Sequence, residues 1–147
     1  MKFRIVILLF LLFTVLAISC QVKTNAVVTT APSEEKTQEV LDHHWKAFQA
    51  NDLDATMADY SEESVLITPD KTFKGLGEIR ENFVFAFSLF PKDSTAFQLN
   101  KSIVNQDVGY IIWQATAPKI KITFGTDTFI IRDGKIVRQT YAGVAAP

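Results

Sequence analysis

The stretch that decides the fold is residues 126–138, TDTFIIRDGKIVR, close to the end of the chain. Its apolar residues Phe129 and Ile131 alternate with other residues, which is the period of a β-strand. The pair Asp133–Gly134 is a strong signal for a two-residue hairpin turn, after which residues 135–141 continue as a second strand. The sequence therefore predicts a long antiparallel hairpin at the end of the domain.

Two more strands precede this hairpin, because the same period of two begins at Thr95. The residues that share a face are Phe97, Leu99, Lys101 and Ile103 in one strand, and Gly109, Ile111, Trp113 and Ala115 in the next. Ile120, Ile122 and Phe124 share a face at the start of the third strand, whereas the apolar positions beyond Gly125 are odd-numbered. We expect a β-bulge at Gly125, since one extra residue changes the phase and bends the sheet.

Helical periodicity dominates the chain before residue 95. Ser33 can cap a first helix, whose apolar face comprises Val40, Leu41, His44, Trp45 and Phe48. Asp52 can cap a shorter second helix through about Tyr60, and residues 75–90 predict a third helix. Short strands at 65–68 and 72–74 lie between them. This order predicts an α+β fold, in which three helices in the N-terminal half pack in a curved mixed or antiparallel sheet.

The composition excludes several classes of protein. The chain has 147 residues, of which 48% are hydrophobic and 21% charged, so we expect one folded domain that is neither collagen-like nor wholly disordered. A formal net charge of −1 implies no basic face, which argues against nucleic acid as a partner. The one cysteine cannot form an internal disulfide or a cysteine-rich zinc site.

The sequence predicts no cofactor and no metal site. Residues 75–77, GLG, lack the third glycine of a dinucleotide-binding turn, and the chain has neither a P-loop nor a Gly-x-Ser-x-Gly elbow. His43 and His44 point about 100° apart on a helix, so they cannot ligate one metal ion as a helical pair.

The first twenty residues predict export. Residues 1–4 carry two positive charges, and residues 5–18 are apolar except for Thr14, which is typical of a secretory leader. As a helix this run would extend about 21 Å, which is less than the hydrocarbon core of about 30 Å, so permanent membrane spanning is not expected.

Cys20 ends this run in the sequence LAISC, which resembles the lipobox of bacterial lipoproteins. The resemblance implies a signal peptide over 1–19, a lipid anchor on Cys20, and a place in the bacterial cell envelope, either periplasmic or surface-exposed. Diacylation would make this anchoring stable. The alternative is an ordinary leader that leaves Cys20 as a free thiol. Residues 20–33 then predict a flexible tether, and residues 34–147 the folded domain.

The folded part resembles the nuclear transport factor 2-like superfamily, which includes SnoaL-like proteins and ketosteroid isomerases and has a cystatin-like fold. The segments that carry the resemblance are WKAF at 45–48, NDLD at 51–54, TPD at 68–70, GLGEIR at 75–80, TDTF at 126–129 and DGKI at 133–136. The resemblance implies a cone-shaped domain that encloses an apolar pocket, and a homodimer formed through the sheet. Because this fold supports enzymes, binding proteins and assembly modules, it does not specify an activity.

Ketosteroid isomerases place a tyrosine, an aspartate base and a protonated aspartic acid in this pocket. Matched by motif, these three positions fall on His44, Thr68 and Asp127 respectively. Only the second aspartate is preserved, and at Thr68 the carboxylate that moves the proton is missing. The resemblance therefore argues against steroid isomerisation.

Asp127 is the leading candidate for a functional residue, because the strand period places this acid on the same face as Phe129 and Ile131. If that face lines the pocket, burial would raise the pKa of Asp127, and the protonated carboxyl could donate a hydrogen bond to a carbonyl or oxyanion. The alternative is structural. A regular hairpin puts Arg138 and Thr140 on the same face, and an ion pair with Arg138 would keep Asp127 charged.

His44 is the second candidate catalytic residue. It lies on an apolar helix face, either as a core histidine bonded to a backbone carbonyl or as a pocket group that transfers a proton near neutral pH. The other candidate pocket residues are Trp45, Phe48, Thr68, Phe83, Phe87, Tyr110, Trp113, Phe129 and Tyr141. The many aromatic rings suit a small apolar or amphipathic ligand.

These residues are consistent with three functions. The first is a membrane-anchored domain that binds a small apolar or amphipathic molecule. The second is a cofactor-free isomerase, cyclase or dehydratase, in which Asp127 stabilises an enolate-like oxygen and His44 moves a proton. The third is a dimeric interaction module whose vestigial pocket is filled by side chains. A cavity that exposes both Asp127 and His44 would favour the first two functions over the third.

Overall fold

The computed structural model describes residues 33–146, so the predicted signal peptide, Cys20 and all of the tether except Ser33 lie outside the described residues. The helices are α1 (Glu34–Gln49), α2 (Leu53–Ala58) and α3 (Gly75–Leu89). The strands are β1 (Val65–Ile67), β2 (Thr72–Lys74), β3 (Ala96–Asn105), β4 (Val108–Thr116), β5 (Lys121–Arg132) and β6 (Lys135–Ala145).

The six strands form one mixed sheet in the order β2-β1-β6-β5-β4-β3. All neighbouring strands are antiparallel except β1 and β6, which run parallel. Helix α1 packs on β3, β4 and β5, and α3 packs on β1 and β2. The side of the sheet that the helices cover is called the helical face below, and the other side the outer face. The predicted α+β fold with three N-terminal-half helices packed against a sheet is confirmed.

The helices begin where the sequence predicts. Ser33 and Asp52 each accept a hydrogen bond from the backbone N–H three residues later, and so satisfy donors that have no partner inside the helix. Thr37 Oγ1 donates to the backbone oxygen of Gln106 at 2.8 Å, which fixes the start of α1 against the β3–β4 turn. Across residues 33–146, no helix combines the length and the apolar character that crossing a membrane requires.

The hydrophobic core lies between the helices and the helical face of the sheet. Its largest buried side chains include Leu41, Met57, Ile79 and Phe83 from the helices, and Ile111, Trp113, Phe129, Ile131 and Ile136 from the strands. Burying one such side chain contributes about 1.5–3 kcal/mol, and this packing fixes the position of each helix on the sheet.

Three β-bulges determine which residues face the helices, and the first lies in β3. Its pairing with β4 shifts between Leu99 and Lys101, so Asn100 is an extra residue. Phe97 faces the helices, whereas Ile103 lies on the outer face and is 42% exposed. The prediction that Phe97 and Ile103 share a face is therefore wrong, because the extra residue reverses the alternation between them.

The predicted change of phase in β5 is present, but it lies just before Gly125. The pairing of β5 with β6 shifts between Ile122 and Phe124. Ile122 is buried on the helical face, whereas Phe124 is 42% exposed on the outer face. The prediction that these two residues share a face is wrong, because the bulge separates them. Gly125 is itself buried and faces the helices.

The third bulge lies in β6. The pairing of β5 with β6 shifts a second time, which leaves Val137 as an extra residue. In a regular hairpin Arg138 and Thr140 would face the helices, as the sequence predicts. The extra residue instead turns both outward, where they are exposed, and brings Gln139 and Tyr141 to the helical face.

Gly125 and Gly143 pair across β5 and β6 and make room for two aromatic rings. A methyl group at Gly125 would lie 2.6 Å from Cε2 of Trp113, and one at Gly143 would overlap the hydroxyl of Tyr141. The rings of Trp113 and Tyr141 stack, with centroids 6.0 Å apart and 26° between their planes. Both rings therefore lie against backbone that carries no side chain.

Replacement of Gly125 by alanine is expected to lower the free energy of unfolding by about 1–3 kcal/mol, because the new methyl group displaces the packed indole of Trp113. Chemical denaturation measures the change. Gly77→Ala is the matched control, since a methyl group there meets no atom within 4 Å and alanine favours a helix by up to about 1 kcal/mol. Equal stability of the two variants would contradict the close contact between Gly125 and Trp113.

Candidate functional site

A cavity of about 400 Å³ lies between the helices and the helical face of the sheet, which is a size typical of small-molecule pockets. Most of its wall is apolar. The aromatic residues that line it are Trp45, Phe48, Phe83, Phe85, Phe90, Trp113, Phe129 and Tyr141. The buried polar residues of the wall are His44, Asp127 and Gln139, whereas Asp70 and Phe85, which also line the cavity, are exposed.

The structure brings both candidate catalytic residues and most of the candidate pocket residues to this cavity. Those that line it are His44, Asp127, Trp45, Phe48, Thr68, Phe83, Trp113, Phe129 and Tyr141. The hydroxyl of Thr68 exchanges two hydrogen bonds of 3.1 Å with the backbone of Lys71, so its hydroxyl holds a turn.

Two candidate pocket residues, Phe87 and Tyr110, lie outside the cavity wall. Phe87 packs against Phe48 in the aromatic core, with ring centroids 5.5 Å apart. Tyr110 lies on the outer face of β4, because it follows the buried Gly109 and successive strand residues point to opposite faces.

Asp127 is buried on the helical face of β5 and accepts two hydrogen bonds. Trp113 Nε1 donates to one carboxyl oxygen and Gln139 Nε2 to the other, each at 2.8 Å. These donors come from β4 and β6, the two neighbours of β5, so the register of the sheet fixes the carboxyl group. An ion pair between Asp127 and Arg138 is not formed. Arg138 points outward and donates to the backbone oxygen of Glu63 at 3.0 Å.

Burial raises the pKa of Asp127 above its ordinary value of 3.8, because removal from water disfavours the charged carboxylate. The hydrogen bonds from Trp113 and Gln139, and the electrostatic influence of the nearby His44, lower the pKa of Asp127 and so act in the opposite direction. Burial also raises the pKa of the Tyr141 hydroxyl, and the nearby charge of Asp127 adds to this effect.

His44 bonds to a buried carboxylate, where the prediction for a core histidine was a backbone carbonyl. Its Nδ1 lies 3.2 Å from Asp59 Oδ2, and its Nε2 lies 3.4 Å from the Tyr60 hydroxyl. Its neighbour His43 places Nδ1 2.8 Å from the other oxygen of Asp59. Despite this convergence, the described residues contain no group of three histidine, cysteine, aspartate or glutamate side chains that could hold a metal ion.

These contacts join into one hydrogen-bonded network across the core. The Tyr60 hydroxyl donates to Gln139 Oε1, and the amide nitrogen of Gln139 donates to Asp127. Gln139 therefore links the histidines of α1 to the carboxyl group in the cavity wall. In order, the network comprises His43, Asp59, His44, Tyr60, Gln139, Asp127 and Trp113.

Sequence reasoning missed Asp59 and Gln139. A signal for Gln139 exists, since the change from an even apolar position at Ile136 to an odd one at Tyr141 indicates an extra residue in β6. No comparable signal exists for Asp59, because it meets His44 through the packing of α2 on α1.

The directions of the hydrogen bonds follow from the Tyr60 hydroxyl. Burial, and then the charges of Asp127 and Asp59, raise the pKa of Tyr60 well above its ordinary value, so the hydroxyl keeps its proton. The Tyr60 hydroxyl donates its one hydrogen bond to Gln139, so it can only accept a hydrogen bond from His44. His44 Nε2 must therefore carry a hydrogen. A further proton lies between His44 Nδ1 and Asp59 Oδ2, since two bare acceptors would repel each other. Whichever atom holds that proton, the pair of His44 and Asp59 is neutral as a whole.

Many solved structures share this fold, including the following three. A nuclear transport factor 2-like protein of unknown function from Mesorhizobium loti has a TM-score of 0.65 and 21% identity, covering 76% of this chain and 93% of that one. A Kribbella flavida protein labelled a ketosteroid isomerase has a TM-score of 0.64 and 13% identity, covering 77% and 81%. A Sinorhizobium meliloti protein labelled a polyketide cyclase has a TM-score of 0.63 and 19% identity, covering 75% and 99%. Such likeness shows the fold alone.

A search of curated proteins finds no significant match to this sequence. Residues 41–139, by contrast, match the sequence model of the SnoaL-like domain family. This match spans most of the chain: it begins within α1, includes α2, α3 and strands β1 to β5, and ends within β6. The chain therefore belongs to the SnoaL-like domain family.

Proposed function

We propose that this protein binds a small apolar or amphipathic molecule in the cavity, with Asp127 as the group that orients it. The observation that carries this proposal is a cavity of about 400 Å³ whose wall contains both Asp127 and His44. A solid core at this place would have favoured an interaction module with a vestigial pocket.

The residues of the cavity wall can offer a bound molecule one polar contact, at Asp127, and many apolar contacts. Asp127 has one oxygen engaged by Trp113 and the other by Gln139, and a carboxylate can accept about four hydrogen bonds in all. Acceptor capacity thus remains for a bound molecule. The surrounding aromatic side chains supply apolar contact area, as in most small-molecule sites.

The second candidate function is a cofactor-free isomerase, cyclase or dehydratase. The observation that favours it is the raised pKa of Asp127 beside a cavity, since catalytic acids and bases often have shifted pKa values. In such an enzyme Asp127 would touch the substrate. Because both ring nitrogens of His44 contact Asp59 and Tyr60, His44 would act through the network as a positioning residue.

We also propose that Cys20 carries a lipid that anchors the domain to a membrane of the bacterial envelope. The apolar run that ends in LAISC supports this proposal, together with the 13 residues between Cys20 and α1 that would act as a tether.

The binding proposal predicts that the full-length protein in lipid nanodiscs takes up cyclohexanol, a compact apolar probe, in calorimetric titration. Ala86→Phe fills part of the cavity, since Ala86 lines it, and is expected to weaken uptake by about tenfold or more, about 1.4 kcal/mol. Val84→Phe is the control, because Val84 lies on the same helix but is 54% exposed and outside the wall. Absence of uptake by the unmodified protein would contradict the proposal.

The shifted pKa of Asp127 predicts a pH-dependent stability difference. Because the folded-state pKa lies above 3.8, the native state holds the proton more tightly, and the free energy of unfolding falls as pH rises from about 3.8 through the folded-state pKa. Asp127→Asn removes this dependence. Denaturation of both proteins across this range should therefore show the wild-type free energy declining relative to the variant, by at most about 1.4 kcal/mol per pH unit. If the free energies of unfolding of the two proteins change with pH in parallel, burial does not shift the pKa of the Asp127 carboxyl.

The anchoring proposal predicts that Cys20→Ser moves the protein from the membrane fraction to the soluble fraction of bacterial cells. The physical reason is that the serine hydroxyl cannot carry the thioether-linked lipid, and a short apolar leader alone does not span a bilayer stably. Ser19→Ala, which keeps the cysteine, is the matched control and should stay with the membrane. Retention of Cys20→Ser in washed membranes would refute lipid anchoring.

A further inference from the structure

We propose that the molecule bound in the cavity is an apolar compound with one basic nitrogen, whose ammonium group pairs with Asp127 while its hydrocarbon part contacts the aromatic wall. This inference rests on the proposed binding function and specifies the class of ligand. Three observations carry it: the charges of the cavity wall, the hydrogen bonds of Asp127, and the nature of the surrounding rings.

The charges of the wall are of one sign. Among the described residues that line the cavity, Asp127 and Asp70 are acidic and none is a lysine or an arginine. His44 also lines it, but its ring nitrogens face Asp59 and Tyr60, and the pair with Asp59 is neutral as a whole. No lysine or arginine among the described wall residues therefore pairs with an ionised Asp127, and His44, which lowers the pKa of Asp127 from a distance, already pairs with Asp59. A buried carboxylate without a countercharge is unfavourable, and a cationic ligand would remove that penalty.

The hydrogen bonds of Asp127 fit a donor ligand. Both oxygens already accept N–H groups, from Trp113 and Gln139, which is the pattern of a carboxylate that acts as acceptor on both sides. These two donors are neutral, so they orient the group and leave its charge in place. An ammonium group presents further N–H donors to the remaining lone pairs, whereas a ligand carboxylate would meet charge of its own sign.

The rings near Asp127 favour the same ligand. Trp113 donates a hydrogen bond to the Asp127 carboxyl group. Tyr141 is the register partner of Asp127 on β6, and Phe129 is the next residue on the same face of β5. Each of these residues lines the cavity. Aromatic faces attract a cation within about 6 Å by about 0.5–2 kcal/mol, which an aliphatic wall does not do. The wall can therefore stabilise both the charge and the hydrocarbon part of one molecule.

Four probes with the same six-membered ring test the proposal: cyclohexylamine, cyclohexanol, cyclohexanone and cyclohexanecarboxylate. Each is titrated calorimetrically at neutral pH into the full-length protein in nanodiscs of uncharged lipid, with empty nanodiscs as the blank. We expect the amine to bind about tenfold more tightly than the alcohol or the ketone, and the carboxylate to show no binding. This comparison is made on the unmodified protein, so it tests the preference for a basic nitrogen independently of any variant.

Two variants locate the effect. Asp127→Asn should bring the affinities for the amine and the alcohol to within about twofold of each other, since the charge is gone while the cavity stays. Its uptake of the alcohol reports that the variant is folded. Glu81→Gln is the control and should keep the preference for the amine, because Glu81 is an exposed acid on α3 outside the cavity wall and a solvated charge contributes little.

The outcomes separate the two levels of the proposal. If the alcohol or the ketone binds as tightly as the amine, or if the preference survives in Asp127→Asn, the inference about basic nitrogen is overturned while binding of apolar molecules stands. If none of the four probes binds, the inference is overturned together with the proposed function.

Discussion

The site depends on one constraint, which is that the carboxyl group of Asp127 is held from both sides by donors on the neighbouring strands. Trp113 on β4 and Gln139 on β6 reach it only in the register that the bulges impose. Deletion of the extra residue Val137 from β6 would turn Gln139 to the outer face, and a residue that now faces outward would take its place beside Asp127. The chemistry of the cavity is thus set by backbone irregularities as much as by the identity of one acid.

The network behind Asp127 makes the cavity wall a continuous structure. Tyr60 holds the amide of Gln139 in one orientation, and the pair of His44 and Asp59 in turn holds Tyr60. Buried polar groups are costly unless their hydrogen bonds are complete, and completing them rigidifies the region. The backbone oxygen of Asp59 also accepts from the N–H of Ile136 at 2.7 Å, which ties this network to β6.

The sequence predicted those features that depend on neighbours along the chain. The helix caps at Ser33 and Asp52, the turn at Asp133–Gly134 and the alternation in β4 are local, and the structure agrees with all of them. The faces of Ile103 and Arg138 were predicted wrongly, because one extra residue reverses a strand and its position depends on pairing with another strand. Contacts between separate elements, such as that of Asp59 with His44, produce no periodic pattern in the sequence from which they could be predicted.

The two tryptophans of this chain, Trp45 and Trp113, both lie in the wall of the cavity. All of its indole fluorescence therefore originates beside whatever molecule the cavity holds. Trp113 rests on the bare backbone of Gly125 and donates its N–H to Asp127, so its emission responds to both the packing and the charge of the site. Intrinsic tryptophan fluorescence can therefore be used to follow cavity occupancy in the unlabelled protein.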